Sequence, residues 1–211
     1  MLDIIIVGAG GFGREVYLWA KDAFPENEYR IKGFLSPNPH DLDSFRTKAK
    51  ILGDENTYDI QENDRFLFAI GNIDIKKRVV TQLKQRGAQF LTLIHPTAIV
   101  APTATIGEGV ILCPFVTVSD HVEIGNYVMM NFYSSCGHDA KVGDFSILCP
   151  YATVNGFSVL QNEVFLASHS TVTPWKKVGY RAQVSANSVV MYDVPDYNFV
   201  FGVPGRNKRI F

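Results

Sequence analysis

The sequence predicts a two-part chain: an α/β, Rossmann-like domain over 1–93, then an all-β parallel β-helix over 94–211. Three observations carry this reading. The first ninety or so residues alternate short apolar runs with helical spacing. From Ile94 the apolar pattern changes to a period of six. Between the first apolar run and the first helical stretch lies a glycine loop, Gly8-Ala9-Gly10-Gly11-Phe12-Gly13.

In the first part, 3–7 reads as a short buried strand and 12–24 as a helix with Phe12, Val16, Trp19 and Ala20 on one side. Strands are expected over 30–35 and 66–70, and a second helix over 75–86, closed by Gly87. The order strand–helix–strand, repeated, argues for a parallel sheet covered by helices.

The second part divides into seventeen hexads over 94–195, beginning IHPTAI, VAPTAT, IGEGVI and LCPFVT and ending VSANSV and VMYDVP. The first position is always Ile, Val, Leu, Met or Cys; the fifth is Ala, Ser or Val except at Lys176. Neither a helix nor an alternating strand produces that register. A fixed hexapeptide period marks a β-solenoid in which three hexads make one triangular coil. Residues eighteen apart then stack on neighbouring coils about 4.8 Å apart. The aliphatic first residue fills the interior, and the small fifth residue is expected to let the chain turn beside it. Beyond Pro195 the repeat stops, and the remaining segment is expected to cap the solenoid, whose open end exposes strand edges.

Composition narrows the function classes. A formal net charge of −1 offers no footprint for nucleic acid or an anionic membrane. No stretch approaches the roughly 20 apolar residues that span a bilayer, and the apolar start contains Asp3 and breaks at Gly8, unlike a signal segment. Cys113, Cys136 and Cys149 lack CxxC spacing, so reduced core thiols in a cytoplasm are expected, with no metal and no nucleophilic cysteine.

The glycine loop matches GxGxxG after a strand and before a helix, where backbone N–H groups approach a phosphate. A dinucleotide site also needs an acidic residue at the end of the second strand, and here that place reads Leu35-Ser36-Pro37. A nucleoside diphosphate carried on another group is therefore expected, and NAD is not. Among five histidines, His40 falls in a loop, His95 at the junction, and His169 has no evident partner. His138 sits mid-solenoid beside Asp139, with Asp120 one coil before and Gly156 one coil after. An imidazole held by a carboxylate serves as a general base near neutral pH, and a backbone N–H at Gly156 faces a developing oxyanion. His121, one coil from Asp139, is expected to pair with it.

The chain resembles the sialic acid O-acetyltransferase-like sugar acyltransferases, which include bacterial nucleotide-aminosugar N-acetyltransferases. The landmarks are Ile4 through Glu15, Gly33-Phe34-Leu35, Ala69-Ile70-Gly71-Asn72, Ile94-His95-Pro96-Thr97-Ala98, the hexads, and Gly202-Val203-Pro204-Gly205-Arg206. The resemblance implies a left-handed β-helix, a homotrimer, and acetyl-CoA as co-substrate for acylation of a nucleotide-linked aminosugar, commonly a 4-amino-4,6-dideoxyhexose. It places the base on His138, its carboxylate on Asp139, and the thioester contact on the Gly156 backbone. It further implies substrate contacts at Gly10, Gly11, Phe12, Gly13, Ser36 and Asn72, and a CoA phosphate contact at Arg206. Phe132, Tyr133 and Tyr151 are the aromatics expected on a face that meets a partner.

Three departures stand out. Many relatives carry a second histidine where this chain has Ile147, an Asp-Asp pair where it has Ser36-Pro37, and Ala-Lys where it has Gly205-Arg206. N-acetylation, O-acetylation of a hydroxyl acceptor, and a non-catalytic nucleotide-binding assembly role all remain open at this point.

Overall fold

The computed structural model describes residues 1–209; residues 210 and 211, the end of the second expected domain, lie outside the described residues. The chain divides into two compact units, Met1–Leu93 and Ile94–Phe211.

The first unit is built from β1 (Leu2–Val7), α1 (Gly11–Ala23), β2 (Tyr29–Leu35), β3 (Ile51–Gly53), β4 (Asp64–Phe68) and α2 (Ile73–Gln85). All four strands are parallel, in the order β3-β2-β1-β4. Ile4 to Val7, Phe34, Leu35 and Phe66 to Phe68 are buried, and α1 turns Gly13, Val16 and Ala20 inward at helical spacing. A side chain at Gly13 would run into the carbonyl of Gly8, so only glycine lets α1 start this close to β1. The strand β3 was not foreseen; three residues carry too little pattern to be distinguished from a loop. α2 begins two residues earlier than expected because the Asn72 side chain caps it, accepting from the Ile75 N–H at 2.9 Å. Burial pushes the Lys76 ammonium on α2 down to about 7.

The second unit is a parallel solenoid with sheets of five, six and eight strands. As far as Thr171–Val172, each two-residue strand pairs with the one eighteen residues on, as Ser135 with Thr153 and Cys136 with Val154; nearer the end the spacing shortens to sixteen, as Gln183 with Phe199. First-position residues from Leu112 to Val190 point inward and are buried. Fifth-position residues from Val110 onward are buried as well, except Lys176, which is half-buried. Several are serines whose hydroxyls donate to corner carbonyls, Ser134 to Asn131 at 2.7 Å and Ser158 to Thr173 at 2.9 Å.

The turn itself is made one position earlier than expected. Fourth-position residues from Phe115 to Asn187 adopt left-handed backbone, with φ between 52° and 65°. The small fifth residue is the consequence: it points into the narrow corner that the left-handed residue creates. Such backbone costs about 1–3 kcal/mol for a non-glycine residue. Ring stacking along the corners offsets part of that cost. Phe115, Tyr133, Tyr151 and His169 form one ladder, with centroids 4.9, 5.0 and 4.6 Å apart.

After the last hexad, strand Asn198–Phe201 joins the eight-stranded sheet and Arg206–Arg209 pairs with it antiparallel. The outer strand presents the exposed sequence Arg-Asn-Lys-Arg, a charged edge of the kind that discourages further strand pairing.

Leu148→Ala removes a fully buried first-position side chain, and chemical denaturation is expected to show a loss of about 2–5 kcal/mol. Lys141→Ala, which breaks an exposed pair with Glu123, is expected to cost no more than about 1 kcal/mol. Equal losses would contradict the inward assignment of the first position.

Candidate active site

One corner of the solenoid carries the histidine–carboxylate pair. Cys136 fills the first position of its hexad and points inward, which leaves His138 third and Asp139 fourth, on the outside of the turn. Asp139 takes the left-handed conformation at φ 58°, a region that Asp tolerates better than most residues. Its carboxylate lies 2.9 Å from Nδ1 of His138. With Nδ1 engaged, Nε2 is the nitrogen left to accept a proton. Both side chains face solvent, 58% and 43% exposed, so the pair is reachable from outside.

The next coil fixes the ring from below. A β-carbon on Gly156 would lie 2.8 Å from both Cε1 and Nε2 of His138. The imidazole therefore rests on Gly156, and glycine alone leaves it room. Gly156 is buried, and among the described residues its N–H has no hydrogen-bond partner. A buried N–H without a partner is unusual and is suited to an oxygen from a ligand. Phe157 meets the imidazole edge-on at 5.1 Å, and Trp175 stacks on Phe157 at 3.9 Å.

The preceding coil carries a second pair in reversed order. His121 Nδ1 lies 2.9 Å from Asp120, whose other oxygen accepts from the Thr103 hydroxyl at 2.5 Å. The expected pairing of His121 with Asp139 is thus corrected: the adjacent residue on the same coil reaches the imidazole, and Asp139 acts only at longer range. The Asp120 hydrogen bond and charge, with a smaller contribution from Asp139, raise the His121 pKa above 6.5. Hydrogen bonds from Thr103 and then His121 hold the Asp120 carboxyl below its ordinary range. A cleft of about 480 Å³ beside these groups is lined by Thr103, His121, Glu123, Asp139, Lys141 and Phe157.

The thiols are poorly placed for catalysis. Burial pushes Cys136 up to about 12 and raises Cys149, and Cys113 is fully buried. Ile147 sits on the outer side of its strand, 7% exposed, between Met129 and Phe165. Among the described residues no group of three or more His, Cys, Asp or Glu is arranged to hold a metal ion.

In the α/β unit, Gly10 caps α1 with no side-chain bond, and a β-carbon there would meet nothing within 4 Å. Gly11, Phe12 and Gly13 follow as the first turn of α1, which holds no acidic residue, so its free N–H groups favour an anion. Ser36 is buried, and its hydroxyl donates to Asp41 at 2.5 Å while Asn38 donates to the other oxygen at 2.7 Å. A carboxylate therefore does stand at the end of β2, supplied from five residues further on. The local sign that this loop folds back is the Asx turn at Asn38, whose Oδ1 accepts from the His40 N–H at 3.1 Å. Asn72 is exposed and its side-chain oxygen is committed to capping α2. Arg206 is exposed on the outer strand of the hairpin. His40 is exposed beside Asp43, His95 is buried against Thr97, and His169 stacks on Tyr151.

Residues 3–83 match the family model described as the PglD N-terminal domain. The chain is 37% identical over 76 residues to GDP-perosamine N-acetyltransferase of Escherichia coli O157:H7, a match covering 36% of this chain and 34% of that relative. The match thus spans about a third of that protein's length. In structure the chain is similar to PerB from Caulobacter crescentus in complex with CoA and GDP-perosamine, with a TM-score of 0.88, 24% identity, and 98% and 97% of the two chains covered. It is equally similar to the acetyltransferase domain of PglB from Neisseria gonorrhoeae in complex with acetyl coenzyme A, with a TM-score of 0.88, 23% identity, and 98% of each chain covered. The resemblance to sugar N-acetyltransferases read from the sequence is borne out, and the two structures share the fold.

Titration followed by NMR is expected to place the His121 imidazole above 6.5 and to return it toward that value in Asp120→Asn. Because the folded value is raised, the pairing favours the fold fully below 6.5 and fades as pH rises through the folded pKa. An unshifted His121 in the wild type would show that the pair does not form in solution.

Proposed function

We propose that this chain is an acetyl-CoA-dependent N-acetyltransferase acting on a nucleotide-linked aminosugar of the 4-amino-4,6-dideoxyhexose type. The single observation that carries the proposal is the exposed His138–Asp139 pair resting on Gly156, in a hexapeptide solenoid. The relative named as a GDP-perosamine N-acetyltransferase and the similar structures holding CoA, acetyl coenzyme A and GDP-perosamine support the same reading.

The sugar amine attacks the thioester carbonyl, and His138 Nε2 takes the proton that the amine sheds. The Gly156 N–H donates to the carbonyl oxygen as it becomes an oxyanion. The tetrahedral intermediate collapses to the amide, and the CoA thiolate leaves and takes the proton back from His138. Asp139 holds the ring in one tautomer and faces the imidazolium in between. No acyl-enzyme is required, in keeping with thiols that are buried at Cys113 and Cys136 and half-buried at Cys149. The α/β unit holds the nucleotide through Gly10, Gly11, Phe12 and Gly13, with Ser36 and Asn72 at its border, and Arg206 meets a CoA phosphate. The amine is favoured over a hydroxyl because it is the better nucleophile and needs less assistance from a single base.

The working form is a homotrimer, in which the exposed Tyr133 and Tyr151 and the adjoining Phe132 meet a second copy. The site is cytoplasmic, where the free thiols stay reduced. Among the described residues no helix is long and apolar enough to cross a membrane.

His138→Ala is expected to lower kcat by about 10²–10⁴-fold with little change in acceptor affinity. Asp139→Asn is expected to cost less, since the base is misoriented and not removed. Both are measured with a matched amino-sugar and hydroxy-sugar nucleotide. Full activity in His138→Ala removes the base, and a preference for the hydroxy-sugar overturns N-acetylation.

Analytical ultracentrifugation is expected to show a trimer, and a monomer at micromolar concentration would refute the assembly.

A further inference from the structure

The coil before His138 carries a histidine–carboxylate pair that the transfer step leaves unused. Thr103, Asp120 and His121 close a ring of hydrogen bonds. The Thr103 hydroxyl donates to one oxygen of Asp120 and accepts from the His121 backbone N–H at 3.1 Å. The other oxygen of Asp120 lies 2.9 Å from Nδ1 of His121. Exposed ion pairs are ordinarily loose, whereas this carboxylate is engaged at both oxygens and ties two coils together. Among the described residues Nε2 of His121 has no hydrogen-bond partner. The Asp120 hydrogen bond and charge favour the imidazolium, in which Nε2 carries a proton that it can donate.

The fourth-position column of this corner runs Thr103, His121, Asp139, Phe157 and Trp175. It is polar up to the coil of His138 and aromatic beyond it. The cleft of about 480 Å³ opens on the polar half, where its wall includes His121, Glu123, Asp139 and Lys141, with Phe157 as an apolar side. Asp139 and Phe157 also touch His138, so the cleft borders the base. Its charges are already matched: Lys141 donates to Glu123 at 2.7 Å, Asp120 holds His121, and Asp139 holds His138. Matched charges leave little net field to attract a phosphate. Fixed donors and acceptors beside one apolar ring suit a neutral, hydroxylated ring instead.

We propose that His121 is a substrate-positioning residue, with Nε2–H donating to the sugar hydroxyl that neighbours the reacting amine. This rests on the aminosugar acceptor proposed above and names the group that orients it. In a 4-amino-4,6-dideoxyhexose that hydroxyl is on C3, adjacent to the amine on C4. His121 and His138 belong to consecutive coils, about 4.8 Å apart. Neighbouring substituents of one ring bridge such a step through hydrogen bonds of roughly 2.8 Å each. A donor with no other partner makes the site discriminate against an acceptor that lacks the hydroxyl.

The test is steady-state kinetics of the whole chain with acetyl-CoA and the GDP-, UDP- and dTDP-linked 4-amino-4,6-dideoxyhexoses, each beside its 3-deoxy analogue. For the fastest of the three, the wild type is expected to favour the hydroxylated acceptor at least tenfold in kcat/KM. His121→Phe is expected to erase that preference, by a loss on the hydroxylated acceptor that the 3-deoxy analogue does not share. Phe115, Phe145 and Phe157 take the same left-handed conformation at other fourth positions, so the fold accommodates the change. His121→Asn, with a side chain too short for the contact and a conformation already taken by Asn187, is expected to behave in the same way. If the wild type acetylates none of the three aminosugars, this inference and the proposed acceptor fall together. If it acetylates one without distinguishing the 3-deoxy analogue, the acceptor stands and the contact does not exist. A preference that survives in both variants, or an equal loss on both acceptors, removes His121 from the sugar and leaves the acceptor standing.

Discussion

The eighteen-residue stacking register is the constraint on which the solenoid and its site depend. Each coil has only two-residue strands, so no coil holds its shape alone; backbone hydrogen bonds to the coils on either side do that. The Asp139 N–H donates to the Asp120 carbonyl at 2.9 Å, and the Phe157 N–H to the His138 carbonyl at 3.0 Å. The bonds that stack the coils are therefore the ones that set His138 upon Gly156. A slip of one residue would turn the aliphatic first position outward and carry the imidazole off its glycine.

That register also arranges charge. The column of third positions sets Asp120 over His138, and the column of fourth positions sets His121 over Asp139. Each imidazole then has one carboxylate beside it and a second on the adjoining coil. An imidazolium at His138, of the kind the proposed transfer requires, would have Asp139 in contact and Asp120 nearby, close enough for the His138 charge to act on that carboxylate. Protonation there would require little reorganisation, because the opposing charges are already in place.

The solenoid was legible because its signal is redundant: seventeen hexads repeat one rule, so single exceptions such as Lys176 do not obscure it. His138, Asp139 and Gly156 were legible through the same arithmetic. The left-handed fourth position was not. Glycine and asparagine announce that conformation, whereas this chain places Phe115, Tyr133, Trp175 and Arg181 there. What favours those residues is contact with the coils above and below, which a single coil does not reveal. The partner of His121 was misread for a related reason, since counting coils gives the neighbours in a column and not the shorter reach along the chain. Asp41 escaped notice because a loop folds back to bring it to Ser36, and no periodicity describes that return.

The stacked pair of Phe157 and Trp175 has a use beyond packing. The chain contains two tryptophans, and they fall in different units: Trp19 on α1, edge-on to Phe12 at 5.8 Å, and Trp175 on the corner that carries His138. Each unit thus holds its own native fluorophore, one helix face away from the glycine loop and the other one ring removed from the imidazole. Replacing either indole leaves a single-emitter protein that reports on one unit alone. Events at the glycine loop and at the His138 corner become separable by their optical signals, without an attached dye.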